Sequence, residues 1–304
     1  MAFDDLPQQN PALDESLYGL DTDEAAFFKQ QTGIQDDDEL KKHLLQIQAD
    51  AYAVFPYPCI RIFHWTKLKI SRLFPYPRLL NLGRDRKDAI FLDIGCCFGN
   101  DVRKVIADGY PVQNVVASDL HPEFWEIGHK LFRTTDTTYP VAFVPGDAFA
   151  PSHLDVVPPF TLASPPTSPK PSLNTLTSLN PLHGYVSAIH ASAFFHLFEE
   201  AEQLHLARAL SGLLSPEPGS MIFGQHVALP EKGLRKSWLT GRSTFEHSPE
   251  SWKEMWEGIF REVGAEVEVD ARLSRVGEGE LQRTGSGTPV TRELWWMEWV
   301  VTRV

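Results

Sequence analysis

Three short apolar runs in this chain end at an acid and lead into a turn: Ala89-Ile90-Phe91-Leu92-Asp93, Val115 through Asp119, and Val141–Val144 followed by Gly146-Asp147. Almost continuous apolar runs of this length suit strands buried on both faces, as in a parallel sheet covered by helices. Helical patterns lie between them, from Asn100 to Asp108 with Gly109 as a stop, and over Pro122–Phe132 with Phe124, Ile127 and Leu131 on one face. Tyr185–Ala191 and Ser220–Phe223 are further strands, separated by a helix whose Leu197, Ala201, Leu204, Ala207 and Leu210 share a face. Ser248 and Pro249 then open a helix that Gly264 stops, and its apolar face carries Trp252, Met255, Trp256, Ile259, Phe260 and Val263. Val267, Val269, Ala271 and Leu273 alternate with charged residues, and Glu293–Arg303 forms a last strand with no helix before it, so these two pair antiparallel at one edge. The order predicts an α/β fold: a Rossmann-like doubly wound sheet of seven strands, the last one antiparallel.

The first part of the chain has a different texture. Residues 1–35 are acidic and read as an irregular, loosely attached arm. Residues 36–87 read as a helical cap, because Leu40, Leu44, Ile47, Ala51 and Val54 form one helix face behind the acidic run Asp36–Glu39. The core runs from 88 to 304, with a Pro/Ser/Thr-rich insertion at 151–182 and an irregular one at 225–247, both expected to cover the carboxyl ends of the strands. The net charge, 28 − 40 = −12, disfavours nucleic acid and anionic membrane surfaces as partners. No apolar run spans a bilayer, no signal peptide is evident, and the three cysteines (Cys59, Cys96, Cys97) form neither a disulfide framework nor a zinc motif. The expectation is a cytoplasmic protein without a metal site.

Ligands of doubly wound sheets sit at the carboxyl ends of the strands. There the first turn reads Asp93-Ile94-Gly95-Cys96-Cys97-Phe98-Gly99-Asn100-Asp101, a D-x-G-x-x-x-G loop. Gly95 and Gly99 permit a tight turn and close approach of a ligand. Asp119 is placed to accept from a ribose diol, and Asp147, beside Ala148 and Phe149, from an adenine amine. Asp101 at the mouth of the next helix opposes a phosphate but suits a sulfonium or an ammonium group. A dinucleotide would call for G-x-G-x-x-G instead. The ligand this set fits is S-adenosylmethionine, with S-adenosylhomocysteine as the product.

FLDIGCCFGND, VVASDL, PGDAF and VSAIHASAFFHLF, with LTSLNPLHGYVSAIHAS, PGSMIFGQH, HSPESWKEMWEG and WWMEW, resemble class I S-adenosylmethionine-dependent methyltransferases. The closest resemblance is to the fungal natural-product branch that includes carboxyl O-methyltransferases of meroterpenoid pathways, and it covers most of the chain after residue 36. It implies cofactor contacts from Asp93, Gly95, Gly99, Asp119, Asp147, Ala148 and His190. It also implies a small, largely apolar acceptor, methylated at a carboxylate or hydroxyl oxygen, and a role in secondary metabolism.

A hydroxyl acceptor needs a general base, for which His196 and His226 are the candidates; a carboxylate needs none. Tyr52, Tyr57 and Arg61 of the cap are candidate acceptor contacts, and Arg235, Lys236 and Arg242 are further cations for a carboxylate. His64, His121 and His129 read as surface or structural. Two rival readings remain open: a methyltransferase-like regulatory protein, and an S-adenosylmethionine-binding enzyme catalysing a non-methylating step such as cyclisation.

Overall fold

The computed structural model describes residues 11–236, 243–276 and 294–304. Five parallel strands, β1 (Ile90–Ile94), β2 (Val115–Ser118), β3 (Ala142–Phe143), β4 (Val186–His190) and β5 (Met221–Ala228), are completed by β8 (Val267–Arg275) and β9 (Trp295–Arg303). The seven-stranded order is β3-β2-β1-β4-β5-β9-β8. Strand β9 runs antiparallel to both neighbours, so the last strand slots between β5 and the edge strand β8. The order reverses between β1 and β4, and the crevice there is where such sheets bind ligands.

Successive residues point to opposite faces of a strand, and the two faces are covered separately. Ile90, Leu92, Ile94, Ile189, Ile222 and Val301 pack against α8 (Glu200–Leu213) and α9 (Pro249–Arg261). Phe91, Val115, Ala117, Ala188, Phe223 and Val300 face α5 (Tyr76–Asp85), α6 (Asn100–Ala107) and Trp125 of α7 (Pro122–Phe132).

The cap is built from α1 (Thr22–Thr32), α2 (Asp37–Val54), α3 (Pro58–Arg61) and α4 (Lys69–Arg72). It shares one apolar cluster with α7: Phe28 stacks on Phe132 at 6.0 Å, and Trp65 meets Phe98 edge-on at 5.2 Å. Helix α1 replaces the irregular arm expected before residue 36. Asp21 and Glu24 form a reciprocal capping box, Phe27 and Phe28 are buried, and the fully buried Glu24 pairs with Lys67 at 2.6 Å and Arg72 at 3.3 Å.

Two expectations about the insertions are corrected. Strand β5 continues through Ala228, and a hairpin of β6 (Gly233–Lys236) and β7 (Ser243–Glu246) follows where an irregular segment was expected. The start of the Pro-rich insertion stays at the carboxyl end of β2, where His153 Nε2 lies 3.2 Å from Ser118 Oγ, but its stretch 160–170 lies at the opposite end of the sheet from the ligand crevice. Lys170 donates to the Asp88 carbonyl just before β1, the Tyr185 hydroxyl just before β4 donates to Ser168, and Arg303 at the end of antiparallel β9 donates to Phe160 at 3.1 Å. Each anchor marks the amino end of the parallel strands. An open depression beside it, lined by Asp88, Gln113, Asn114 and residues 170–174, is likewise remote from the carboxyl ends.

Candidate active site

The turn after β1 depends on its glycines. Gly95 (φ 73°) and Gly99 (φ 72°) occupy the left-handed region, and a Cβ on Gly99 would stand 2.6 Å from the Trp125 ring. The Gly95 and Cys96 amides both bond the Ser118 carbonyl, at 2.8 and 3.1 Å. Asp119, just past β2, accepts the Cys97 N–H on Oδ2 at 2.8 Å and the His121 N–H on Oδ1 at 3.0 Å. Burial pushes its carboxyl up, and those amide bonds oppose the rise. A carboxylate offers about four lone-pair directions, so two remain for other donors. Asp147 is exposed past β3 with Phe149 N–H on Oδ1 at 2.9 Å, and Ala148 is buried beside it. Phe149, Phe198 and Phe194 form an aromatic rail with centroid spacings of 4.9 and 5.4 Å, ending at Gly95, whose added Cβ would lie 3.1 Å from the Phe194 ring. These residues fit an adenosine with a diol: two acids with spare acceptors and a row of aromatic rings, while both turn glycines make room for protein rings, Gly95 for Phe194 and Gly99 for Trp125.

At the switch point the structure assembles a relay. His190 Nδ1 lies 2.8 Å from Asp93 Oδ1, and its Nε2 lies 2.6 Å from Ser192 Oγ. Burial pulls the His190 imidazole down, but the Asp93 carboxylate outweighs this and holds it above its ordinary value; burial likewise pushes Asp93 up. Asp93 and His190 are 3% and 1% exposed, and both ring nitrogens of His190 are engaged, by Asp93 and by Ser192. Ser-His-Asp geometry alone does not make an acyl-transfer site, which also needs free oxyanion donors. The Ala191 and Ala193 amides are bound to the Phe223 and Gln225 carbonyls at 2.9 and 2.7 Å, and the Gln225 N–H goes to Ser192 Oγ at 3.2 Å. With His190 neutral, Ser192 donates to it and keeps one lone pair for a proton from elsewhere.

Beyond Ser192, cap and sheet meet around Trp296 of β9. Its ring lies 5.7 Å from His64 and 6.2 Å from His196. His196 Nδ1 accepts the Val227 N–H at 3.4 Å, which leaves the ring proton on Nε2. Burial, with help from Arg235 and Lys69, lowers the His196 pKa to about 3; burial also carries His64 well below its usual range. Both imidazoles are neutral at working pH and are weak bases.

His226 is corrected as a candidate base. It lies inside β5 at 1% exposure, accepts Trp299 Nε1–H at 2.9 Å, and packs on Trp252 at 4.6 Å, within the core. The cap candidates divide. Tyr57 stands against His121 and Phe124 at 6.3 and 6.0 Å, at the carboxyl end of β2. The Tyr52 hydroxyl instead donates to the Pro11 carbonyl and Arg61 Nε to that of Ala12, both at 2.9 Å, so these two tie down the N-terminal segment. Arg235 is held by Glu246 at 3.1 Å. Arg242 and the Lys236 side chain lie outside the described residues. Ser192 and Lys69 escaped the sequence reading, and His64 reads there as surface or structural. Ser192 has the one usable signal, its position two residues beyond His190 at a strand end. His64 and Lys69 have none, because only packing of the cap brings them over the sheet.

A parallel sheet closed by a reversed strand beside β5, a glycine turn after β1, and acids after the first three strands define a class I S-adenosylmethionine-dependent methyltransferase. A family model described as the meroterpenoid methyltransferase N-terminal domain matches residues 13–66. The asnovolin E/chermesin D methyltransferase nvfJ of Aspergillus novofumigatus is 31% identical over 232 residues, 76% of this chain and 74% of that one. The O-methyltransferase atr3 of Stereocaulon alpinum is 30% identical over 80% of this chain, which spans 63% of that longer relative. The methyltransferase adrK of Penicillium roqueforti is 30% identical over 77% of this chain and 74% of its own. The chain belongs to this family of fungal natural-product methyltransferases. Among the described residues no helix is long and apolar enough to cross a membrane, and no group of three or more His, Cys, Asp or Glu side chains could hold a metal ion.

Proposed function

We propose that this enzyme methylates a carboxylate oxygen of a small, largely apolar natural product bound between the cap and the carboxyl ends of β4, β5 and β9. The observation that carries the carboxylate is the state of the histidines beside Trp296. His196 presents an Nε2–H donor and has a pKa near 3, and His64 is neutral as well. Such groups hydrogen-bond an oxygen that arrives ionised, and they are poor at removing a proton. The relatives named for asnovolin E/chermesin D and for O-methyl transfer support a natural-product acceptor and an oxygen target. S-adenosylmethionine supplies an electrophilic methyl group. The protein's part is to align the acceptor oxygen and exclude water, which the Tyr57, His64 and Trp296 rings are placed to do.

A second reading has its own observation, the remaining lone pair on Ser192. A hydroxyl acceptor donating there could pass a proton through Ser192 to His190. One experiment separates the two. Purified enzyme is incubated with methyl-labelled S-adenosylmethionine and a panel of terpenoid and aromatic acids with their phenolic counterparts. A carboxylate acceptor predicts methyl esters, with Ser192→Ala and His196→Ala within about tenfold of the parent kcat. A hydroxyl acceptor predicts ethers and a loss of roughly 10²-fold or more in Ser192→Ala, the scale of a positioned base. Methylation of protein or RNA alone would remove both readings.

A further inference from the structure

Lys69 is a half-buried cation at the first position of α4, and no hydrogen bond or ion pair holds its ammonium group among the described residues. The other cap cations considered above are tied down: Arg61 by Ala12, Lys67 by Glu24, and Arg72 by Asp21 and Glu24. The Lys69 charge bears on Cys97 in the glycine turn, on His190 at the end of β4, and on Cys59, His64 and His196. A half-buried ammonium without an anionic partner among the described residues keeps its donors available to an anion.

The next residue shows what stands opposite. The Ile70 N–H donates to Asp101 Oδ1 at 3.1 Å, joining the start of α4 to the first turn of α6, immediately after Gly99. This bond uses one oxygen of Asp101, and among the described residues no other hydrogen bond or ion pair engages the carboxylate. A free cation in the cap, one residue before Ile70, and an acid with acceptor capacity in the core, two residues after Gly99, are therefore brought to the glycine turn by the same bond.

We propose that Lys69 and Asp101 form a clamp for the zwitterionic amino-acid end of the cofactor, Lys69 taking the carboxylate and Asp101 the ammonium group. The proposal rests on the S-adenosylmethionine reading and adds to it a role for the cap: the N-terminal helices supply half of the amino-acid subsite. It assigns Lys69 to the cofactor carboxylate, where an acceptor carboxylate is the alternative source of the same chemistry.

Calorimetry with two ligands tests it. S-adenosylhomocysteine carries the amino-acid end, and 5′-methylthioadenosine lacks it. Lys69→Met is expected to weaken S-adenosylhomocysteine roughly tenfold to a hundredfold, the range for one lost charged hydrogen bond, while 5′-methylthioadenosine stays within about twofold. Asp101→Asn is expected to do the same, and Lys69→Arg to recover part of the loss. Unchanged 5′-methylthioadenosine binding also shows that each variant is folded. If Lys69→Met leaves S-adenosylhomocysteine affinity intact, or weakens both ligands equally, the clamp is wrong. Intact cofactor affinity with a raised KM for a carboxylate acceptor would move Lys69 to the acceptor and equally overturn the proposal. Failure of the parent protein to bind either ligand would instead refute the cofactor reading itself.

Discussion

Replacing Asp119 by Asn tests the cofactor site where its geometry is most explicit. In the structure Oδ1 and Oδ2 each accept one backbone N–H, from His121 at 3.0 Å and from Cys97 at 2.8 Å, which leaves each oxygen one further lone pair. A ribose diol carries two O–H donors, which matches that remainder. An amide cannot serve the same set. Its single oxygen can keep one backbone bond and one diol bond, while its NH2 confronts an N–H and an O–H that also need acceptors. The smallest loss is one charged hydrogen bond to the ligand, about 1.5–3 kcal/mol, or roughly a 10- to 150-fold rise in Kd. Calorimetry with S-adenosylhomocysteine and its 2′-deoxy analogue separates this from a general disturbance of the turn. The variant should lose less affinity for the deoxy ligand, since one of the bonds at stake is already missing. An unchanged Kd, or an equal loss for both ligands, would refute the assignment of Asp119 to the diol.

Other outcomes follow from neighbouring contacts. Gly128 lets α7 close on the Phe98 carbonyl, and an added Cβ would press on its oxygen and stand 3.0 Å from its carbon; Gly128→Ala should cost about 1–3 kcal/mol by overpacking, seen as a lower Tm, and weaken S-adenosylhomocysteine by displacing the glycine turn. Lys67→Met removes the shortest contact of the buried Glu24 carboxylate, leaving it the Asp21 N–H at 2.9 Å and Arg72 at 3.3 Å, and should destabilise by about 1.5–3 kcal/mol in urea unfolding, with α1 becoming protease-sensitive first. Burial holds His226 well below its ordinary pKa, so the unfolded chain takes a proton below about pH 6.5 that the folded chain resists. Its share of stability is complete above that pH and is lost as pH falls. His226→Phe should therefore shrink the stability lost between pH 7 and 5 by about 2 kcal/mol; denaturation curves of equal pH slope for variant and parent would contradict this.

The chain's own pattern determined much of this protein. Apolar runs ending in Asp93, Asp119 and Asp147 fix strands and place acids at their carboxyl ends, because a strand's exit from a buried sheet is set by where its apolar run stops. The glycines at 95 and 99 are similarly local, since positive φ is a property of the residue itself. Helix α9 was legible for the same reason, in its Ser248 cap and its apolar stripe. Helix α1 was legible only in its capping box, Asp21-x-x-Glu24, because Phe27 and Phe28 sit side by side and give no helical period.

Tertiary structure decided the rest. Sequence paired β8 with β9 but could not insert β9 beside β5, since both orders satisfy the same alternation. Nor could it place the 160–170 stretch of the Pro-rich insertion at the amino ends of the strands, where the Lys170 and Arg303 side chains anchor it far from the site. The two candidate histidines parted company for a packing reason: His226 is enclosed by Trp252 and Trp299, while His196 meets Trp296. Lys69 and Asp101, 32 positions apart, became neighbours only when α4 docked on α6 through the Ile70 amide. Residue type fixes what a side chain can do, and local pattern fixes which element carries it. Which side chains converge is settled by long-range packing, because the cluster that cap and core share is apolar and carries no positional code along the chain.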